Sequence, residues 1–351
     1  MKRVTLKDIA LHTNLDVSTV SRVLNEDPVL RIGPARRAHV LQTAAELGYV
    51  ANRAARSLRM KKSFIVGYVM TDAGGSPAVE GDFNFPVVRA RLAGLEEAVS
   101  QQGYLLGLVR LLDGGVPAIE EKVILRQQFD GLIFNWTVPS PDVVERLQFA
   151  HLPAVLLDPR APPGLFNGRL SCVVADRAEG VRRSVAHLAA RGHRRVAFIS
   201  TAANTQRLAG YRSAAEALDL DTDSRLVKLF DSPIGNLSGP RSEGCRAMHA
   251  LLDSGVEFTA VQAGSDATAA GILDALRKSG TRVPEDVAVM GYDDLEGYSA
   301  NLLPEPFLST VRDPNREMGL QAAELLLDQV ERNEAPRQVV LEPELILRRS
   351  A

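Results

Sequence analysis

Val17, Ser18, Ser21 and Arg22 form the first group of side chains in this 351-residue chain with recognisable chemistry. If residues 17–25 are helical, these four share one face near the N-terminus. Val20, Val23 and Leu24 share the opposite face at i, i+3, i+4 spacing. Hydroxyls, a guanidinium and a small apolar group on one exposed turn suit the major-groove edges of base pairs. Arginine pairs bidentately with guanine, and an apolar side chain meets the thymine methyl. Arg36 and Arg37 form a second group, in the first turn of a helix opened by Gly33-Pro34. Cations are unfavourable at that end of the helix dipole unless a phosphate lies nearby.

Catalytic chemistry finds no comparable group. The sequence has no GxGxxG after a strand, no GxxxxGK[ST], no HExxH and no GxSxG. None of its six histidines pairs with a cysteine or carboxylate at metal-ligand spacing, and His187 and His193 bracket a helix end as dipole partners do. No catalytic residue, metal site or cofactor is expected.

The elements that would position the first two groups are short. Thr5-Leu6-Lys7-Asp8 is a capping box that opens a helix over about 6–13. Asn14-Leu15 breaks it, and Asp16 caps the second helix. The third carries Val40, Leu41, Ala44 and Leu47 as an apolar stripe and ends at Gly48. Two short helices joined by a tight turn, with a polar second helix, make a helix-turn-helix. Charge agrees: residues 1–62 hold 12 Lys and Arg against 5 Asp and Glu, whereas the remainder holds 29 against 38. A basic head on an acidic body suits a polyanionic partner, although an unevenly charged solvated surface reads the same way.

From residue 63 short apolar runs alternate with amphipathic stretches. Candidate strands are 64–69, 104–109, 132–134, 154–157, 172–174, 196–199, 260–262 and 287–290; helices between them close on Gly103, Gly192, Gly255 and Gly280. Such alternation predicts parallel α/β sheets, and this many strands suits two sheets better than one. The Pro/Gly-rich stretch 158–168 is the expected break. Two cysteines, Cys172 and Cys245, cannot staple a fold, which points to a reducing compartment. No apolar run approaches the ~20 residues of a bilayer span, and the N-terminus lacks the apolar core of a secretory signal, so a cytoplasmic protein is expected.

The run VTLKDIALHTNLDVSTVSRVLN, then AAELGY, then NRAARSLR, resembles the head of the lactose/purine-repressor family of bacterial transcription regulators. The resemblance continues through ADRAEGVRRSVAHLAARGHRRVAFIS, RLAGY, VPEDVAVMGYDD, LSTVRDP and EMGLQAAELLL, and so covers essentially the whole chain. It implies a small all-α helix-turn-helix head on a two-lobed, periplasmic-binding-protein-like body of doubly wound parallel sheets. The head would span 1–50 and a hinge helix 51–62. The body, 63–351, would have lobe 1 at about 63–168 and 311–335 and lobe 2 at about 169–310 and 336–351.

The resemblance also implies roles. Leu58 matches a leucine wedged between central base pairs and Arg59 the basic residue beside it; a basic linker whose leucine packs on the body is the alternative. The residues read as contacting DNA are Thr5, Val17, Ser18, Thr19, Ser21, Arg22, Asn25, Arg36, Asn52, Arg56, Leu58 and Arg59. Arg207 matches the cleft arginine that holds the effector, and Asp293 an acidic residue that accepts ligand hydroxyls, with Asp294 as its rival for that role or as a helix cap. Ser265 and Asp266 follow a strand, where Asp266 either caps a helix or touches ligand. Asn135 and Trp136 close another strand, with Trp136 a sugar platform or a lobe-packing residue. Phe83 completes the effector set. The chain departs from the family where Phe85-Pro86-Val87-Val88 replaces Asn-Pro-Phe-Phe, and where the run before Arg207 lacks a second basic residue. That favours a sugar over a purine.

The function implied is a DNA-binding repressor controlled by a small molecule. It would bind a pseudo-palindromic double-stranded operator as a homodimer, with no membrane partner, because one recognition helix reads only half a site. A transport-type sugar-binding module and an effector-independent architectural DNA binder are the alternatives. The first would need a signal peptide and no head; the second would need no ligand cleft.

Overall fold

The computed structural model describes residues 4–24, 29–49, 57–58, 60–71, 86–111, 128–136, 138–159, 168–231, 238–295 and 306–351. Asn25, Asn52, Arg56, Arg59 and Phe83 lie outside the described residues. Two compact units divide the chain, Met1–Lys62 and Ser63–Ala351. Among the described residues no helix is long and apolar enough to cross a membrane.

Among the described residues of the first unit are the helices α1 (Leu6–Thr13), α2 (Val17–Leu24) and α3 (Pro34–Glu46). The Asp8 carboxylate accepts from the Thr5 backbone N–H at 2.7 Å, which secures the start of α1. Asn14 takes the left-handed conformation, φ 51°, that turns the chain between α1 and α2. Ile9, Ala10, Val20, Val23, Val40 and Ala44 form the core. Leu41 is 47% exposed and does not belong to the stripe expected for α3; Thr43 is buried in that helix instead. At 3.6 residues per turn, 40, 43 and 44 share a face that 41 leaves.

The second unit has two parallel sheets. The first holds β1 (Ile65–Thr71), β2 (Leu105–Leu111), β3 (Gly131–Asn135), β4 (Ala154–Leu157), β5 (Ser171–Ala175) and, from far along the chain, β11 (Gln338–Leu341). Their order is β11-β5-β4-β3-β1-β2. The second sheet, ordered β7-β6-β8-β9, comprises β6 (Val196–Thr201), β7 (Val227–Phe230), β8 (Ala260–Ala263) and β9 (Ala288–Met290). Helices cover both faces of each, as parallel strands require. On the first sheet α4 (Pro86–Gln101) and α10 (Asn315–Arg332) pack on one side and α5 (Pro141–Phe149) on the other. On the second, α6 (Arg177–Ala190) and α7 (Thr205–Ala217) oppose α8 (Ser238–Asp253) and α9 (Asp266–Lys278). A two-stranded antiparallel ribbon, β10 (Thr310–Arg312) with β12 (Glu344–Ile346), lies where the chain passes between sheets.

The expected break at 158–168 is corrected. After that stretch the chain returns to the first sheet, where β5 pairs with both β4 and β11. The crossings fall at Asp176, at Asp313–Asn315 and at Glu342–Pro343, so the lobe limits move from 168, 310 and 335 to about 175, 313 and 341. Proline and glycine there mark a connection within one lobe. The sequence reading also passed over β7, β10, β11 and β12. β7 and β11 are sheet edges with mostly half-exposed residues, and β10 and β12 have three residues each, so their periodicity is weak.

Helices α4 and α10 cross through glycines. A Cβ on Gly94 would stand 2.0 Å from the Arg316 carbonyl oxygen, and one on Gly319 2.1 Å from that of Arg91. The close crossing brings Arg91 against Asn315. Gly94→Ala or Gly319→Ala is expected to destabilise the body by about 1–3 kcal/mol through overpacking. Urea unfolding followed by circular dichroism measures it, and an unchanged midpoint would show that the helices can separate freely.

Candidate functional site

In the first unit the two faces of α2 divide by burial. Val20 and Val23 are fully buried, whereas Val17, Ser18 and Arg22 are exposed and Thr19 and Ser21 half-buried. Thr5, at the start of α1, and Arg36, in the first turn of α3, are also exposed. Leu58 is 83% exposed in a short helical segment. An apolar side chain that exposed forfeits the ~1.5–3 kcal/mol of burial a leucine ordinarily supplies.

In the second unit the polar residues at the ends of β8 and β9 meet the start of α7. Arg207 is 8% exposed. Its Nη1 donates to the Gly264 carbonyl, its Nη2 donates to Asp293 Oδ1 at 2.8 Å, and its guanidinium lies 3.7 Å over the Tyr292 ring. That is a cation–π contact in a desolvated setting. Gly264 itself packs tightly on the neighbouring strand, where a Cβ would collide with Ser200 Oγ at 1.9 Å. Arg207 Nε is buried and has no hydrogen-bond partner. Asp293 takes φ 109°, and its side chain keeps 17% exposure. Burial raises its pKa, against the pull of Arg207.

Ser265 and Asp266 turn toward the fold. Ser265 caps α9 by accepting from the Thr268 N–H at 3.1 Å. Asp266 accepts from Thr310 Oγ1 at 2.6 Å and from the Leu295 N–H at 2.7 Å. Burial, then the neighbouring Asp293, push its carboxyl well above the usual range. Asp294, directly before a helical residue at Leu295, is not open to a ligand. Fully buried, it accepts from Arg312 at 2.7 Å and from Arg348 at 2.7 Å, tying the β10 strand and the C-terminal segment to the second sheet.

Asn135 and Trp136 belong to a different cluster, which sequence reasoning missed. Asp158, 3% exposed at the end of β4, accepts from Arg91 Nη2 at 2.6 Å, from Trp136 Nε1 at 2.8 Å and from Arg177 at 2.6 and 2.7 Å. Arg91, fully buried on α4, also donates to Asn135 Oδ1 at 2.9 Å and Asn315 Oδ1 at 3.0 Å, and lies 5.0 Å from the Trp136 ring. Trp136 packs against the first-sheet core. Arg177 reaches Asp313 Oδ2 at 2.9 Å, and Asp313 Oδ1 accepts from the Tyr292 hydroxyl at 2.6 Å. Burial would lift the Asp158 pKa, but Arg177 and then Arg91 hold it well below the usual carboxylate range. One signal was available: Arg177 is a cation in the first turn of α6, as awkward there as Arg36 in α3.

Comparison with known proteins identifies the architecture. Residues 5–52 match the model of bacterial regulatory proteins of the lacI family, and residues 185–351 that of a periplasmic binding protein-like domain. The transcriptional regulator CelR of Thermobifida fusca is 32% identical over 99% of this chain and 98% of its own length. The chain belongs to the lacI family. GalR of Escherichia coli K12, another family member, is 30% identical over 99% of this chain and 95% of its own. Among solved family structures, a CelR–cellobiose complex superimposes with TM-score 0.67 at 31% identity, covering 99% of this chain and 100% of that one. The lac repressor dimer bound to operator and the anti-inducer ONPF gives 0.71 at 25%, covering 99% of each. The family and fold implied by the sequence motifs are therefore the ones found, and the protein is a DNA-binding transcriptional regulator.

In this lacI-family member the Asp158 cluster fixes a pH dependence. Its folded pKa lies below the ~3.9 of an unfolded aspartate, so its contribution is complete above that value and disappears as pH falls through the folded one. Asp158→Asn is expected to cost about 3–5 kcal/mol at neutral pH, because buried Arg91 and half-buried Arg177 lose their shared partner. Unfolding free energies across an acid series should then fall less steeply than those of the parent. Equal slopes would mean that Asp158 is not the group titrating.

Proposed function

We propose that the protein is a repressor that grips a pseudo-palindromic operator as a homodimer and changes its affinity when a neutral, hydroxylated molecule, a sugar, occupies the cleft of the body. The observation that carries the ligand class is the way Arg207 is used. Two of the five guanidinium N–H groups are spent within the protein, one of them on Asp293, whose carboxylate stays partly exposed, while Nε is buried without a hydrogen-bond partner. A carboxylate or phosphate ligand wants two parallel donors and no neighbouring anion. A hydroxyl accepts from one N–H and donates to a carboxylate with the same oxygen, so the pair suits a polyol. Cellobiose, held by the CelR relative, is the natural first probe.

The DNA-facing reading rests on the exposure of Val17, Ser18 and Arg22 against the buried opposite face of α2, with Thr5 and Arg36 toward phosphates. Leu58 is the wedge, supported by its exposure; Thr19, Ser21, Asn25, Asn52, Arg56 and Arg59 complete the contacts. The activity is binding rather than catalysis, in the cytoplasm and without a cofactor. A transport-type sugar module would have no use for α1–α3, and an architectural DNA binder none for a buried arginine with an unfilled donor.

Two measurements test this. Calorimetry against neutral mono- and disaccharides, uronates and purines should give heat with a neutral sugar, lost in Arg207→Met and Asp293→Asn. Binding of a purine or a uronate with no sugar response would sink the ligand class. With an operator selected from random duplexes, Arg22→Ala should lose about 1–3 kcal/mol on the selected site and much less on random DNA. Equal losses would make Arg22 a phosphate contact.

A further inference from the structure

The polar groups around Arg207 and those around Asp158 form one continuous line. From the second lobe it runs Asp293–Arg207–Tyr292–Asp313–Arg177–Asp158–Arg91, ending on α4 of the first. Its links are hydrogen bonds of 2.6–2.8 Å, an Arg177–Asp313 ion pair of 2.9 Å and the stacking of Arg207 on Tyr292, and no side chain in it is more than 18% exposed. Arg177 and Asp313 stand where the chain changes lobes, the first just after β5 and the second just before α10.

We propose that Tyr292 is the positioning residue for the cleft arginine, and that it ties the setting of Arg207 to the lobe crossing through its hydroxyl, Asp313 and Arg177. This rests on the reading that Arg207 and Asp293 hold the effector, but the mechanical link stands apart from it. The ring fixes the plane in which the Arg207 guanidinium lies. The hydroxyl fixes the ring, because it is held by a carboxylate whose other oxygen belongs to Arg177. Arg177 in turn bridges two carboxylates, Asp158 of the first lobe and Asp313 of the crossing, so neither can move without its guanidinium following or letting go. A bridge of this kind is either made or broken, and an element that switches in that way can convert a small change at one site into a lobe displacement. Arg91 and Trp136 hold Asp158 still, so the displacement falls at Arg177.

The test needs no effector. Spin labels are placed at Phe149→Cys on α5 of the first lobe and Arg277→Cys on α9 of the second, both exposed, with Cys172→Ala and Cys245→Ala removing native thiols. Pulsed electron spin distance measurement should give a narrow distribution for the labelled parent. Arg177→Met should broaden and lengthen it, and Arg177→Lys, which keeps the charge but cannot bridge both carboxylates, should fall between. Arg207→Met should also shift the distribution, but should add nothing in a Tyr292→Phe background, where the ring remains and the bond to Asp313 is gone. A merely structural role would give additive shifts. Parent-like distances in folded Arg177→Met and Tyr292→Phe proteins would overturn the proposal, as would an equal Arg207→Met shift with and without the hydroxyl. Should Arg177→Met fail to fold, the Tyr292→Phe comparison alone decides. A sugar panel that fails in calorimetry while the non-additivity stands would sink the effector reading and leave the relay intact.

Discussion

The carboxylate of Asp158 is the interaction on which the body depends. It is buried at a strand end, and a buried carboxylate without partners costs several kcal/mol. Its partners come from three places in the sequence: Trp136 from the end of β3, Arg91 from α4 and Arg177 from the first turn of α6. The glycine contacts between α4 and α10 serve this arrangement, because they let Arg91 reach Asn315 as well as Asp158. Packing, charge and chain path are thus coupled at one oxygen pair. Apolar contacts hold each lobe together, whereas the passage between lobes is held by directional, charge-assisted bonds. Directional bonds rearrange in steps, which suits a passage that must bend without coming apart.

The second lobe repeats the device with different residues. Asp294 gathers Arg312 and Arg348 beside the second sheet, while its neighbour Asp293 faces the opposite task and keeps part of its carboxylate exposed. Both take positive φ, 109° for Asp293 and 52° for Asp294. The backbone there is strained for non-glycine residues, and aspartate is among the few side chains that tolerate it. Two adjacent acids are separated in function by the turn that carries them.

Much of this was legible in the sequence, for reasons that can be stated. Capping chemistry and i, i+3, i+4 spacing are local, so the three helices of the head and the split of α2 into buried and exposed faces could be read directly. Gly103, Gly192, Gly255 and Gly280 all take the positive φ that closes a helix. Fully buried strands such as β3 and β4 announce themselves as apolar runs. What escaped is non-local. Arg91 and Asp158 are 67 positions apart, and nothing local to either one points to the other. Nothing in spacing says that α10, arriving more than 200 residues after α4, will press an asparagine against Arg91. The crossing points were misplaced because loop composition records solvent exposure, not which sheet the next strand joins. Arg207 was singled out from the sequence, but the way its donors divide among protein partners was not, because that depends on Gly264 and Tyr292 in three dimensions.

That division of donors bears on how such a regulator diversifies. The Arg207 guanidinium is tied to the fold by one bond from each Nη group and by a buried Nε, so any substitution of it also unpicks the turn after β8. New specificities would therefore arise through the half-buried residues around it, such as Thr201 at the end of β6 and Asn204, the residue just before the same helix. For anyone reshaping this protein into a sensor for another small molecule, the arginine is part of the chassis and its neighbours are the dial.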